Sequence, residues 1–122
     1  MEQNGRLDKR RILIVEDEYF LAQEMMQGLR AEGAEVVGPV GAVCDALDLI
    51  GATARIDAAV LDLNLQGELA YPVADALTER GVPFVFATGY DQSFIPERYN
   101  GVARCGKPVR MADVARRLFG TP

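Results

Sequence analysis

Short, continuously apolar runs alternate along this chain with stretches whose apolar residues recur at helical spacing, and that alternation limits the possible folds more than any other feature. Ile12-Leu13-Ile14-Val15, Ala58-Ala59-Val60-Leu61 and Phe84-Val85-Phe86-Ala87 show no polar alternation, the pattern of strands covered on both faces. Glu35-Val36-Val37-Gly38 is shorter and more polar, as suits an edge, and Val102-Ala103-Arg104-Cys105 is the weakest of the five. Between these runs, Leu21, Met25, Gly28 and Leu29 line one helical face, and Val43, Ala46, Leu47 and Ile50 another. Leu69, Val73 and Leu77 repeat at four-residue spacing, and Met111, Val114, Ala115 and Leu118 close the series. Gly33 and Gly81 fit helix stop positions. Residues 91–99 should hold the fourth helix, but Pro96 falls in its middle and apolar anchors are few, which predicts a short, poorly anchored one.

Strict β/α alternation argues for an α/β chain with a parallel sheet and helices on both faces. Such sheets bind ligands beyond the C-terminal strand ends, where strand order reverses. At 122 residues the chain is one domain long, and a hydrophobic fraction of 49% with 25% charged residues is ordinary for a globular protein. Thirteen basic against eighteen acidic residues leave a net charge of −5, the wrong balance for gripping phosphate backbones, so no direct nucleic-acid partner is expected. No apolar run is long enough to span a membrane, and the polar start lacks a signal peptide. The reading is a cytoplasmic protein with a flexible tail over residues 1–10 and one domain over 11–120. The absence of histidine excludes His-based triads, Cys/His zinc sites and a histidine general base. Cys44 and Cys105 read as reduced, small core or semi-buried residues, although counting alone leaves a disulfide open.

The strand ends gather the chemistry. The first strand runs into Glu16 and Asp17, the third ends at Asp62, the fourth at Thr88, and the fifth is followed by Lys107. Taken singly, an acid after a strand is usually a helix cap or a solvated charge, a threonine a turn former and a lysine a surface charge. In a parallel sheet these ends share one edge, so the residues converge. Three carboxylates meeting in one pocket repel one another unless a cation sits among them. An oxygen-only donor set favours a hard ion, Mg²⁺ or a similar divalent ion such as Mn²⁺. A hydroxyl and an ammonium facing such a cluster are what a bound phosphoryl group requires.

On these motifs the chain resembles the receiver domains of bacterial two-component response regulators. The matching segments are Ile12-Leu13-Ile14-Val15-Glu16-Asp17-Glu18, Val60-Leu61-Asp62-Leu63-Asn64-Leu65, Ala87-Thr88-Gly89 and Lys107-Pro108. The resemblance implies a flavodoxin-like (βα)5 fold of strand order 2-1-3-4-5. It implies Asp62 as phospho-accepting nucleophile, with Asp17, Asp62 and the Asn64 backbone carbonyl on Mg²⁺ and Glu16 supporting the metal. It places Thr88 and Lys107 on the phosphoryl oxygens and makes the Lys107–Pro108 bond cis. The implied partner is a sensor histidine kinase that supplies the phosphohistidine, with a protein target downstream. The chain would be a monomer or weak dimer, and no enzyme beyond its own phosphorylation and slow dephosphorylation.

The segment Phe84-Val85-Phe86-Ala87-Thr88-Gly89-Tyr90 is similar to the Phe-Ala-Thr-Gly motif of stand-alone alphaproteobacterial receivers, a group associated with stress signalling and with HWE/HisKA2-type kinases. Arg104 stands where receivers usually carry the aromatic ring that turns inward on activation, so activation is not expected to run through an aromatic at that position. Tyr90 reads either as an exposed loop aromatic or as a shield over the phosphoryl group. Two alternatives remain: a receiver excised from a longer regulator with a DNA-binding or enzymatic output domain, and a metal-dependent phosphatase of similar fold. The phosphatase is disfavoured by Asn64, two residues past Asp62 where such enzymes usually carry a second acid, and by a length that leaves no room for a cap domain.

Overall fold

The computed structural model describes residues 7–88, 95–99, 101–107 and 109–119. In chain order the elements are β1 (Arg11–Val15), α1 (Tyr19–Ala31), β2 (Glu35–Val40), α2 (Val43–Ala52), β3 (Ala58–Asp62), β4 (Asn64–Leu65), β5 (Glu68–Leu69), α3 (Tyr71–Glu79), β6 (Phe84–Thr88), a 3₁₀ turn (Glu97–Tyr99), β7 (Arg104–Gly106) and α4 (Met111–Phe119). Five strands form a parallel sheet of order β2-β1-β3-β6-β7. Counted over the sheet strands alone this is 2-1-3-4-5, the expected flavodoxin-like arrangement. The fifth strand starts two residues later than the apolar run and ends one residue beyond it.

Because successive strand residues point to opposite faces, β1 splits its side chains between two cores. Leu13 and Val15 join Leu61, Phe86, Val43, Ile50, Val73 and Leu77 on one face. Ile12 and Ile14 join Val60, Val85, Met25, Leu29 and Val114 on the other. Both glycine stops hold. Gly33 (φ +93) and Gly81 (φ +71) adopt the left-handed conformation. In each case the following residue's N–H reaches back to close the helix, Ala34 to Leu29 O at 3.0 Å and Val82 to Leu77 O at 2.9 Å.

Several expectations need correcting. Leu69 is not on α3's buried face: it sits in β5, 51% exposed, because the turn at Gln66-Gly67 draws it into a hairpin with β4. Leu47 is 37% exposed, leaving Val43, Ala46 and Ile50 to bury α2. Cys44 is exposed rather than semi-buried, Cys105 is buried, and both thiols are free. The N-terminal stretch is not tail throughout, since Leu7 is fully buried in the α1/α4 core. Its N–H donates to Glu32 O at 3.0 Å and the Lys9 N–H to Gly33 O at 2.9 Å, pinning the turn before β1.

The fourth helix is reduced, in the described residues, to the 3₁₀ turn that Pro96 opens, with the Tyr99 N–H bonded to Pro96 O at 3.0 Å. Asp91 to Phe94 lie outside the described residues. This turn is well anchored, contrary to expectation. Tyr99 is buried, stacked on Tyr71 at 5.2 Å between ring centroids and edge-on to Phe86 at 5.7 Å. Its hydroxyl donates to Asp75 in α3, and the Arg98 guanidinium lies 4.5 Å over the Tyr99 ring while pairing with Asp75 at 3.3 Å. The Tyr99 bond, and secondarily Arg98, hold the Asp75 carboxyl below the usual carboxylate range. Burial first, then Asp75, pushes the Tyr99 phenol up to about 12. A raised phenol favours its neutral form in the folded state, so this contribution to stability is complete below about pH 10 and is lost as pH rises towards the folded value. Titrating phenolate absorbance in the wild type against Tyr99→Phe should show one tyrosine ionising late; a missing late component would contradict the clamp.

Arg80, just past α3, fastens a second junction. Its guanidinium donates to Ile50 O, to Thr53 O at 3.0 Å and to Ala54 O at 3.0 Å. These carbonyls at the end of α2 have no helical partner of their own. Arg80→Ala should lower stability by about 1–2 kcal/mol, read as a shift in urea midpoint at unchanged slope.

Candidate functional site

Acidic residues begin where the apolar runs of β1 and β3 stop. Val15 and Leu61 are buried and paired in register, which sets the next residues, Glu16 and Asp62, side by side at the sheet's C-terminal edge. Carboxylate oxygens of Glu16, Asp17 and Asp62 all lie within 4.8 Å of one another. Glu16 and Asp62 are buried and Asp17 is the most open of the three. Lys107, following β7, places Nζ 3.0 Å from Glu16 Oε1 and 3.1 Å from Asp62 Oδ2.

Backbone donors hold the remaining oxygens. The Glu18 N–H donates to Glu16 Oε2 at 3.1 Å and the Asn64 N–H to Asp62 Oδ1 at 3.3 Å. The β4–β5 hairpin turns through Gln66 (φ +54) and Gly67 (φ +85), the two left-handed positions of a tight hairpin turn. Its Gly67 N–H donates to Asn64 Oδ1 at 2.9 Å, and its Gln66 N–H to Asp17 Oδ2 at 2.8 Å. Burial pushes the Glu16 carboxyl up; the Glu18 N–H and Lys107 pull against this, and the neighbouring Asp62 charge adds to the rise. Burial pulls the Lys107 ammonium down, but Glu16 and Asp62 outweigh it and leave it above its ordinary value.

The donor set fits a small hard cation. Glu16 Oε1 is buried and, although Lys107 neutralises it, receives no aligned hydrogen bond. Every candidate ligand is an oxygen, and neither histidine nor cysteine belongs to the cluster.

No protein-family profile matches the chain. The transcriptional regulatory protein PdtaR of Mycobacterium tuberculosis is 28% identical over 109 residues, covering 86% of this chain and 53% of PdtaR. The chain thus spans about half the length of the curated relative it matches. The receiver domain of the PhyR response regulator from Erythrobacter litoralis has the same fold, with a TM-score of 0.77 at 21% identity over 93% of this chain and 89% of that one. SdrG from Sphingomonas melonis Fr1 is 40% identical, with a TM-score of 0.79 over 90% of this chain and 93% of SdrG; a BeF3-activated SdrG gives 0.72. The chain belongs to the response regulator receiver family.

In this receiver Glu16, Asp17, Asp62 and Lys107 meet as the strand ends foretold. Asn64 adjoins them through its backbone N–H. Thr88 closes β6, paired in register with Gly106, one residue before Lys107; its side chain lies outside the described residues, as do Tyr90 and the Lys107–Pro108 bond. Arg104 is exposed on β7 opposite Phe86. Two aromatics pack edge-on against Phe86, its strand neighbour Phe84 and the distant Tyr99; sequence reasoning had not singled out Tyr99. Nor had it found the Gln66 tether to Asp17, for which the Gln-Gly pair between Leu65 and Glu68 was the available signal.

Proposed function

We propose that this receiver accepts a phosphoryl group on Asp62 from the phosphohistidine of a sensor kinase, in a reaction that depends on Mg²⁺ or a similar divalent ion. The observation that carries this reading is the cluster itself: three carboxylates within 4.8 Å, two of them already sharing the Lys107 ammonium. Glu16, Asp17, Asp62 and the Asn64 carbonyl would hold the metal, which when bound supplies positive charge to the carboxylates and phosphoryl oxygens. Asp62 forms a P–O bond as the donor's P–N bond breaks, and the leaving imidazole keeps the electron pair. Lys107, already 3.1 Å from Asp62 Oδ2, would follow the added charge onto a phosphoryl oxygen, and the resemblance to receivers makes the Thr88 hydroxyl the second donor. The domain needs no histidine, since the donor brings one, and acts only on itself.

The Phe86-Ala87-Thr88-Gly89 motif supports a kinase of the HWE/HisKA2 type and a stand-alone role, which we read as that of a cytoplasmic monomer or weak dimer acting on a protein target. Among the described residues no helix is long and apolar enough to cross a membrane. The half-length match to PdtaR favours one second reading, the receiver part of a longer regulator. The test is incubation with acetyl phosphate, with Mg²⁺ or with chelator, followed by borohydride reduction and peptide mapping. One phosphoryl group on Asp62, lost with chelator, is expected; a label elsewhere, or one indifferent to metal, would overturn the proposal.

A further inference from the structure

β2 meets β1 with one residue too many. Leu13 pairs with Val37 and Val15 with Val40, so Gly38 and Pro39 together face Ile14. Past this bulge the Glu16 N–H donates to Val40 O at 2.9 Å, which carries the ladder beyond β1 and brings Gly41 against the acidic cluster. A Cβ on Gly41 would stand 3.0 Å from Asp17 Cα, 3.4 Å from Asp17 Cβ and 3.4 Å from Glu16 O. All three neighbours belong to the cluster, and the nearest is backbone, which yields least. At its other end Asp17 is held by the Gln66 N–H. Asp17 is thus fixed between a residue without a side chain and a single backbone donor.

We propose that Gly41 is a positioning residue for the cation site: by lacking a Cβ it lets Asp17 stand close enough to Glu16 and Asp62 for the three carboxylates to share one small ion. The inference rests on the metal-dependent reading above. An alanine methyl would displace Asp17 by a few tenths of an ångström, a shift that matters unequally for different ions. Mg²⁺ demands near-octahedral oxygens at about 2.1 Å, whereas Ca²⁺ accepts varied geometry at about 2.3–2.6 Å. A detuned site therefore loses Mg²⁺ before it loses Ca²⁺.

The experiment is calorimetric titration of the wild type, Gly41→Ala, Asp17→Asn and Gly51→Ala with each ion, alongside metal-free thermal unfolding. Gly51 is the control, since a Cβ there would meet nothing within 4 Å. Gly41→Ala should weaken Mg²⁺ binding about tenfold and Ca²⁺ binding about threefold or less, with the metal-free midpoint near that of wild type, while Gly51→Ala changes neither affinity. A wild type that binds no Mg²⁺ would sink the parent reading and this inference with it. Mg²⁺ affinity lost in Asp17→Asn but intact in Gly41→Ala would overturn the inference alone, as would equal losses for both ions with a lowered midpoint. Should Gly41→Ala be too unstable to titrate, the wild-type amide spectrum decides: Gly41 shifting with Asp17 and Gln66 as Mg²⁺ is added supports the role, and a stationary Gly41 ends it.

Discussion

Asp62→Ala should take up no phosphoryl group from acetyl phosphate under conditions that label the wild type once. The loss is expected to be complete because neither neighbouring carboxylate is free to replace it. Glu16 is buried, with one oxygen on the Glu18 N–H and the other against Lys107. Asp17 is more open, but its Oδ2 is engaged by the Gln66 N–H, and Lys107 is not paired with it among the described ion pairs. In the proposed reaction attack needs a nucleophile, a charge-neutralising ammonium and metal ligands at one point. Asp62 is the carboxylate at which the acidic cluster and a Lys107 hydrogen bond coincide. Intact-mass measurement after saturating exposure checks this; stoichiometric labelling of the alanine variant would remove Asp62 from its role.

Lys107→Met should be the most destabilising change in the pocket, costing about 2–4 kcal/mol without metal. Removing one partner of a buried ion pair strands the other, at about 3–5 kcal/mol, and here two carboxylates are stranded. The lower figure allows for Glu16 taking up a proton in place of the ammonium. The sign with pH follows. Burial already raises the Glu16 carboxyl, and losing Lys107 raises it further, so the deficit is greatest near neutrality and shrinks as pH falls into the ordinary glutamate range. Differences from wild type must be taken at each pH, because Asp57 and Asp75, held low by Arg55 and by Tyr99 with Arg98 respectively, lose stability in both proteins over the same descent. Saturating Mg²⁺ should restore much of the deficit. Urea unfolding over pH and Mg²⁺ concentration provides the measurement, and a deficit indifferent to both would contradict the pairing.

The parts legible beforehand were those with redundant signals. The three central strands are continuous apolar runs that each stop at a polar residue. The parallel sheet and the meeting of Glu16, Asp17 and Asp62 with Lys107 were therefore legible from the strand ends, while the strand order came from the resemblance to receivers. The misreadings came from single residues placed by a local turn or by partners distant in sequence. Leu69 shares a four-residue spacing with Val73 and Leu77, but a tight turn three residues upstream outranks that periodicity. Leu7 is one apolar residue among charges and is buried because the chain folds back on Glu32 and Gly33. Tyr99 has no periodic companions at all: its anchors, Tyr71, Asp75 and Phe86, lie on α3 and β6.

Arg80 has a mechanical consequence. By holding three carbonyls at the end of α2 from the end of α3, it couples two helices that also lie against one another and give Ile50 and Leu77 to the same core. A push on α3 from the hairpin beside Asp17 would then also load the end of α2 through Arg80. The β4–β5 hairpin leads directly into α3, so a displacement that starts at the pocket and reaches α3 is shared with the end of α2 through the Arg80 bonds.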